Sequence, residues 1–227
     1  SKNRKETVYF FIDEFSNHYD VDIAINAVKL LDLLGYTVKF IDHAPSGRAQ
    51  FSKGLLDQAS SYARQNISIF YPISAENKII GIEPSCILSF RDEYPKLFKG
   101  EEKMKAEKVA QACMTIEEFL YQEIQKGNIT AAQFDDTSRD IWIHGHCHQK
   151  ALSKVDYTAF ILGLPSNHKV SVIPSGCCGM AGSFGYEKEH YDLSMKIGEL
   201  VLFPAIRKTE TSTKIIAAGT SCRHQIK

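Results

Sequence analysis

The sequence predicts an α/β fold built as two related Rossmann-like halves with parallel sheets, a pseudo-twofold tandem repeat. Three observations carry this. Short β-rich apolar runs alternate with longer stretches of helical periodicity. The alternation restarts after about 130 residues. Landmarks also recur in the same order: Glu83-Pro84-Ser85-Cys86 after KIIGI matches Gly219-Thr220-Ser221-Cys222 after KIIA. The Asn17 neighbourhood matches His146-Cys147-His148, and Ala44-Pro45-Ser46-Gly47 matches Gly176-Cys177-Cys178-Gly179.

Taken in order, residues 7–12 (TVYFFI) read as a buried strand and 20–34 as an amphipathic helix capped by Gly35. Residues 36–41 return as a strand, 51–64 form a helix, 78–82 a third strand, and 87–98 are mostly helical. Residues 101–126 read as one or two charged helices with no strand signal, which places Cys113 in a helix as a packing residue. The second half then gives a strand at 140–143, a helix at 149–162 and a strand at 170–173. A long helix at 186–208 and a strand at 214–217 complete it. The expected division is residues 1–100, a helical connector at 101–137, and residues 138–227.

Composition narrows the function. The 227 residues are 44% hydrophobic, enough for real cores, and 27 Lys plus Arg balance 27 Asp plus Glu. Nucleic-acid binding and polybasic membrane attachment need a positive surplus that is missing here. No apolar run reaches the roughly 18–20 residues that span a bilayer, and SKNRKETVYFF lacks a secretory pattern. The expectation is a cytoplasmic protein whose cysteines stay reduced. Ser1 in place of an initiator Met, and an end at SCRHQIK where a helix should start, read as a piece cut from a longer polypeptide.

Cys86, Cys147, Cys177 and Cys222 each fall just past the carboxyl end of an expected parallel strand. Loops and helix N-termini gather at that edge of an open sheet, and helix N-termini favour thiolates. Cys147, Cys177, Cys178 and Cys222, far apart in sequence, thus map to one edge of one half. Soft thiolates select zinc or iron–sulfur clusters. The adjacent Cys177-Cys178 pair is unlike a spaced zinc knuckle and suits two irons of one cluster. Gly176, Gly179, Gly182 and Gly185 would let backbone amides approach, and His146, His148 and His224 could add a nitrogen ligand. GxSxG, GxGxxG and GxxxxGK[ST] motifs are absent.

The segment GCCGMAGSFGYEKEHYDLSMKIGE, with HGHCHQKAL upstream and GTSCRHQI downstream, resembles the cysteine-rich (CCG) domain found in heterodisulfide reductase and in the iron–sulfur subunits of glycolate oxidase. EPSCILSFRDEYPKLF and FSKGLLDQA make it most similar to the C-terminal tandem cysteine-rich region of FAD-linked oxidases of the D-lactate or 2-hydroxy-acid dehydrogenase type. The resemblance implies that residues 1–100 are a degenerate first repeat and 138–227 a second repeat carrying the cysteines. It implies Cys, then CC, then CxxC. Cys147, Cys177, Cys178 and Cys222 fit, but Gln225 stands at the last position. In the first half Asn17 and Pro45-Ser46 stand in the cysteine positions and only Cys86 remains.

The implied function is an oxidoreductase electron-transfer module. It would hold a 4Fe-4S iron–sulfur cluster on Cys147, Cys177, Cys178 and Cys222, with Cys86, His224, His146 or His148 as a further metal-binding ligand. FAD would sit on another domain. The implied partners are that FAD-binding oxidase domain and a ferredoxin-like 4Fe-4S domain, with no nucleic acid, no transmembrane segment, and peripheral membrane contact left open. The fragment alone is expected to be inactive as an oxidase. Two readings compete: a structural zinc or metal-free interaction domain completing the flavin enzyme, and thiol–disulfide chemistry, for which the adjacent pair is awkward.

Overall fold

The computed structural model describes residues 4–227. The chain divides into two compact units between Phe119 and Leu120.

The first unit runs β1 (Thr7–Phe10), α1 (Glu14–His18), α2 (Val21–Leu33), β2 (Thr37–Lys39), α3 (Arg48–Lys53) and α4 (Leu56–Phe70). It continues with β3 (Lys78–Gly81), α5 (Pro84–Ile87), α6 (Glu93–Leu97), α7 (Gly100–Ala112), β4 (Cys113–Thr115) and α8 (Ile116–Gln125), which carries the chain past the division. The strands form one parallel sheet in the order β2-β1-β3-β4. Its core is aromatic: Phe11 meets Phe90 edge-on at 5.1 Å and Phe70 at 6.0 Å, all three fully buried. Each such ring contributes roughly 1.5–3 kcal/mol by leaving water.

The second unit runs β5 (Arg139–His144), α9 (Cys147–Leu152), α10 (Val155–Leu162), β6 (His168–Val172), α11 (Tyr191–Leu200), α12 (Leu202–Arg207), β7 (Lys214–Ala217) and α13 (Thr220–Ile226). Its parallel sheet has the order β6-β5-β7. Both sheets therefore place their first strand in the centre, with the second and third strands on either side. The α/β fold with two Rossmann-like parallel halves is what the alternation predicts.

Several elements differ from expectation. The segment 101–126 contains β4, so Cys113 is a strand residue paired with Ile79, not a helical one. All three β4 residues are buried, and a fully buried three-residue strand leaves no alternation to read. The expected helix 51–64 is two helices, because Gly54 turns left-handed (φ 71°) and ends α3. The expected helix 149–162 breaks at Ser153, whose extended backbone lets α10 start afresh. The expected long helix 186–208 breaks at Val201, which puts Pro204 in the first turn of α12, where a missing N–H costs nothing. Among the described residues no helix is long and apolar enough to cross a membrane.

Candidate metal centre

Three loops after parallel strands build the site. Cys147 is the first residue of α9 after β5, and Cys222 is the third residue of α13 after β7. Cys177 and Cys178 lie in the loop after β6. Because the sheet is parallel, these carboxyl ends share one edge.

The loop carrying the cysteine pair is held in an unusual shape. Gly179, Ala181 and Gly182 all have positive φ (105°, 41° and 68°), which turns successive amides inward. The Gly179 amide donates to Cys177 Sγ at 3.3 Å. Lys150 Nζ donates to the carbonyls of Ser175 (2.6 Å) and Gly176 (2.8 Å), pinning the other side of the loop. Cys178 and Cys222 pack into a core with Ile173, Met180, Leu202 and Phe203, whereas Cys147 is exposed and Cys177 half-buried. The site thus grades from wet to dry.

All four thiols are free, and they neighbour one another in the order Cys147, Cys177, Cys178, Cys222. Hydrogen bonds from Cys147 and Cys178, with help from the amides of Gly179 and Ala181, hold Cys177 far below the usual thiol range. Its neighbour Cys177 pushes the Cys147 thiol up. Cys178 keeps its proton between Cys177 and Cys222. Cys222 falls to about 5, drawn down chiefly by Cys178 against the opposing effect of burial. Four neighbouring thiols at one sheet edge form a donor set for a soft metal.

The structure also brings His144, the last residue of β5, to this edge. One of its ring nitrogens and the sulfurs of Cys178 and Cys222 lie within 4.8 Å of one another. Sequence reading missed His144 because it closes a strand. The cue was its place in HGHCH, two residues before His146 and three before Cys147. His146 caps α9, with Nδ1 accepting the His148 amide at 3.1 Å, and the two rings stack at 5.5 Å. His224 Nδ1 pairs with the Tyr186 hydroxyl at 2.6 Å.

The chain resembles one part of larger dehydrogenases. It is 26% identical over its whole length to the D-2-hydroxyglutarate dehydrogenase of Escherichia coli (strain K12), spanning 21% of that protein. It is 27% identical to the Haemophilus influenzae protein of the same name, over 98% of this chain and 22% of the relative. It is 25% identical to one component of the anaerobic glycerol-3-phosphate dehydrogenase of Escherichia coli (strain K12), over 98% of this chain and 55% of that component. The chain thus spans about a fifth of the length of the D-2-hydroxyglutarate dehydrogenases and about half of the glycerol-3-phosphate dehydrogenase component. These similarities bear out the resemblance carried by the GCCG segment. No protein-family model matches the chain.

The first unit has other residues at the corresponding edge of its sheet. Cys86 is the third residue of α5 after β3, as Cys222 is of α13 after β7. Ser46 hydrogen-bonds Cys86 as Cys178 hydrogen-bonds Cys222. Glu14, not Asn17, takes the helix-first position that Cys147 holds, and its carboxylate accepts from the Ser46 amide (3.0 Å) and hydroxyl (2.8 Å). Asn17 lies further along α1, exposed. Burial, then Asp13, Glu14 and Glu83, keep the Cys86 thiol protonated. Cys86 is therefore placed among carboxylates within the first unit, an environment that opposes thiolate ligation.

Proposed function

We propose that this chain is an iron–sulfur electron-transfer module of an FAD-linked oxidoreductase acting on a 2-hydroxy acid. The observation that carries the reading is the gathering of Cys147, Cys177, Cys178 and Cys222 at one sheet edge, past the ends of β5, β6 and β7. The whole-length similarity to part of D-2-hydroxyglutarate dehydrogenases supports the flavin-enzyme setting and the substrate class. The partners are an FAD-binding oxidase domain and a ferredoxin-like 4Fe-4S domain, and the reduced thiols suit a cytoplasmic location.

The donor set fits such a group: four free sulfurs at one sheet edge, two of which, Cys178 and Cys222, lie within 4.8 Å of each other and of a ring nitrogen of buried His144. Cys147, Cys177, Cys178 and Cys222 would hold a 4Fe-4S cluster, which supplies a one-electron relay when bound. Cys178 and Cys222, in the core, keep water from one side. Exposed Cys147 marks the side on which an electron donor or acceptor approaches. The Gly179 and Ala181 amides stabilise thiolate charge at Cys177 and so bear on the potential. A structural zinc or metal-free role is the second reading, favoured by Gln225 at the final cysteine position.

Anaerobic reconstitution with iron and sulfide, followed by assay of iron, zinc and acid-labile sulfide, tests this. About four iron and four sulfide per chain, lost in Cys178→Ser, is the expected result. One zinc, or no metal from either preparation, would overturn it in favour of the structural role.

A further inference from the structure

The four thiols do not exhaust the donors at this edge. His144 is 0% exposed. Its Nδ1 pairs with Ser175 Oγ at 2.7 Å, which leaves Nε2 as the free ring nitrogen. Nε2 is buried and has no hydrogen-bond partner among the described residues. Such an atom costs about 1–3 kcal/mol unless something satisfies it, and a ring nitrogen of this residue lies within 4.8 Å of the Cys178 and Cys222 sulfurs.

We propose that His144 is a nitrogen ligand of the metal centre through Nε2, beside Cys178 and Cys222. The assignment rests on the metal-binding reading above and names a ligand it lacks. Ser175 supplies the partner that a metal-bound imidazole keeps on its other nitrogen, fixing ring orientation and leaving Nε2 for the metal. The strand end also holds the ring, because His144 pairs with Ala217 across β5 and β7. His144 further offers a replacement for the missing thiol. Gln225, at that position, spends its amide on Ser194 Oγ (3.1 Å) and on the Ser194 carbonyl (3.3 Å). A neutral imidazole in place of a thiolate makes the site less negative, which raises its reduction potential.

The test uses two probes on the full chain, iron with sulfide and Co2+ alone, each in protein carrying natural or 15N-labelled histidine. Pulsed EPR of the reduced iron centre and of Co2+ should show a histidine nitrogen coupling. That coupling should be lost in His144→Ala and kept in His146→Ala and His148→Ala. Should His144→Ala fail to fold, His144→Cys carries the same readout. It should keep the metal, lose the nitrogen coupling and lower the midpoint potential. Full metal loading without a histidine coupling, or a coupling that survives either His144 substitution, overturns the assignment. Failure of iron and sulfide to assemble, with a His144-dependent coupling to Co2+, sinks the electron-transfer reading and sustains His144. Failure of both metals to bind sinks both.

Discussion

Gln225 ties α13 to α11 through Ser194: its amide donates to Ser194 Oγ at 3.1 Å and to the Ser194 carbonyl at 3.3 Å. The same amide lies against the cysteine loop, since a Cβ built on Gly179 would sit 2.9 Å from Gln225 Nε2. A residue that could have been a thiol ligand acts as a strut beside the site.

Gln225→Cys should trade the strut for a donor. Two lost hydrogen bonds, each worth about 0.5–1.5 kcal/mol, should lower the stability of the metal-free protein by about 1–2 kcal/mol in urea unfolding. The added thiol should lengthen the life of the reconstituted centre in air, followed as decay of its visible absorbance. Faster decay would show that the Ser194 anchor matters more than a further sulfur.

Gly179→Ala strikes the loop at its tightest point. Gly179 has φ 105°, and a Cβ there would meet the Ser194 backbone carbonyl oxygen at 2.2 Å. The expected cost exceeds about 2 kcal/mol, and metal content should fall because the amide that donates to Cys177 moves. Gly176→Ala is the control, with no atom within 4 Å of its added Cβ, and should change neither quantity.

Cys113→Ser separates packing from ligation. Cys113 is fully buried in β4, and burial pushes its thiol well up. A hydroxyl there loses packing and needs a partner, so stability should drop by about 1–3 kcal/mol while iron and sulfide per chain stay unchanged. Loss of metal in this variant would overturn the assignment of the ligands to the second unit's sheet edge.

The legible parts were those with a strong local signal. Strand β7 falls on Lys214–Ala217 because KIIA is a short apolar run bounded by turn residues. The cysteine edge was legible because each Cys directly follows such a run, and parallel pairing does the rest. Cys113 was not, since VAQACMTIEEF continues a helical pattern and tertiary pairing with Ile79 decides otherwise. Glu14 was overlooked as the counterpart of Cys147 because only the start of α1, set by the Asp13 cap, fixes the register. His144 was missed because its role depends on Ser175, thirty-one residues away, and no local pattern encodes that pairing.

Asp13 gives the first unit a distinct pH response. It is 1% exposed, its carboxylate accepts from the Phe15 and Ser16 amides and from the Ser16 hydroxyl, and Glu83 lies nearby. Burial first, then the charge of Glu83, push its carboxyl up to about 6 from an ordinary value of 3.8. The folded state therefore binds this proton more tightly than the unfolded chain. Stability from Asp13 is complete below pH 4 and is lost as pH rises to about 6, by up to about 3 kcal/mol. Asp13→Asn keeps an oxygen for the two amides and removes the charge. Urea unfolding of the metal-free proteins should show the variant gaining on the wild type between pH 4 and 7, with a plateau above. A difference that stays flat over this range would mean that Asp13 ionises at its ordinary value and that the cap tolerates the charge.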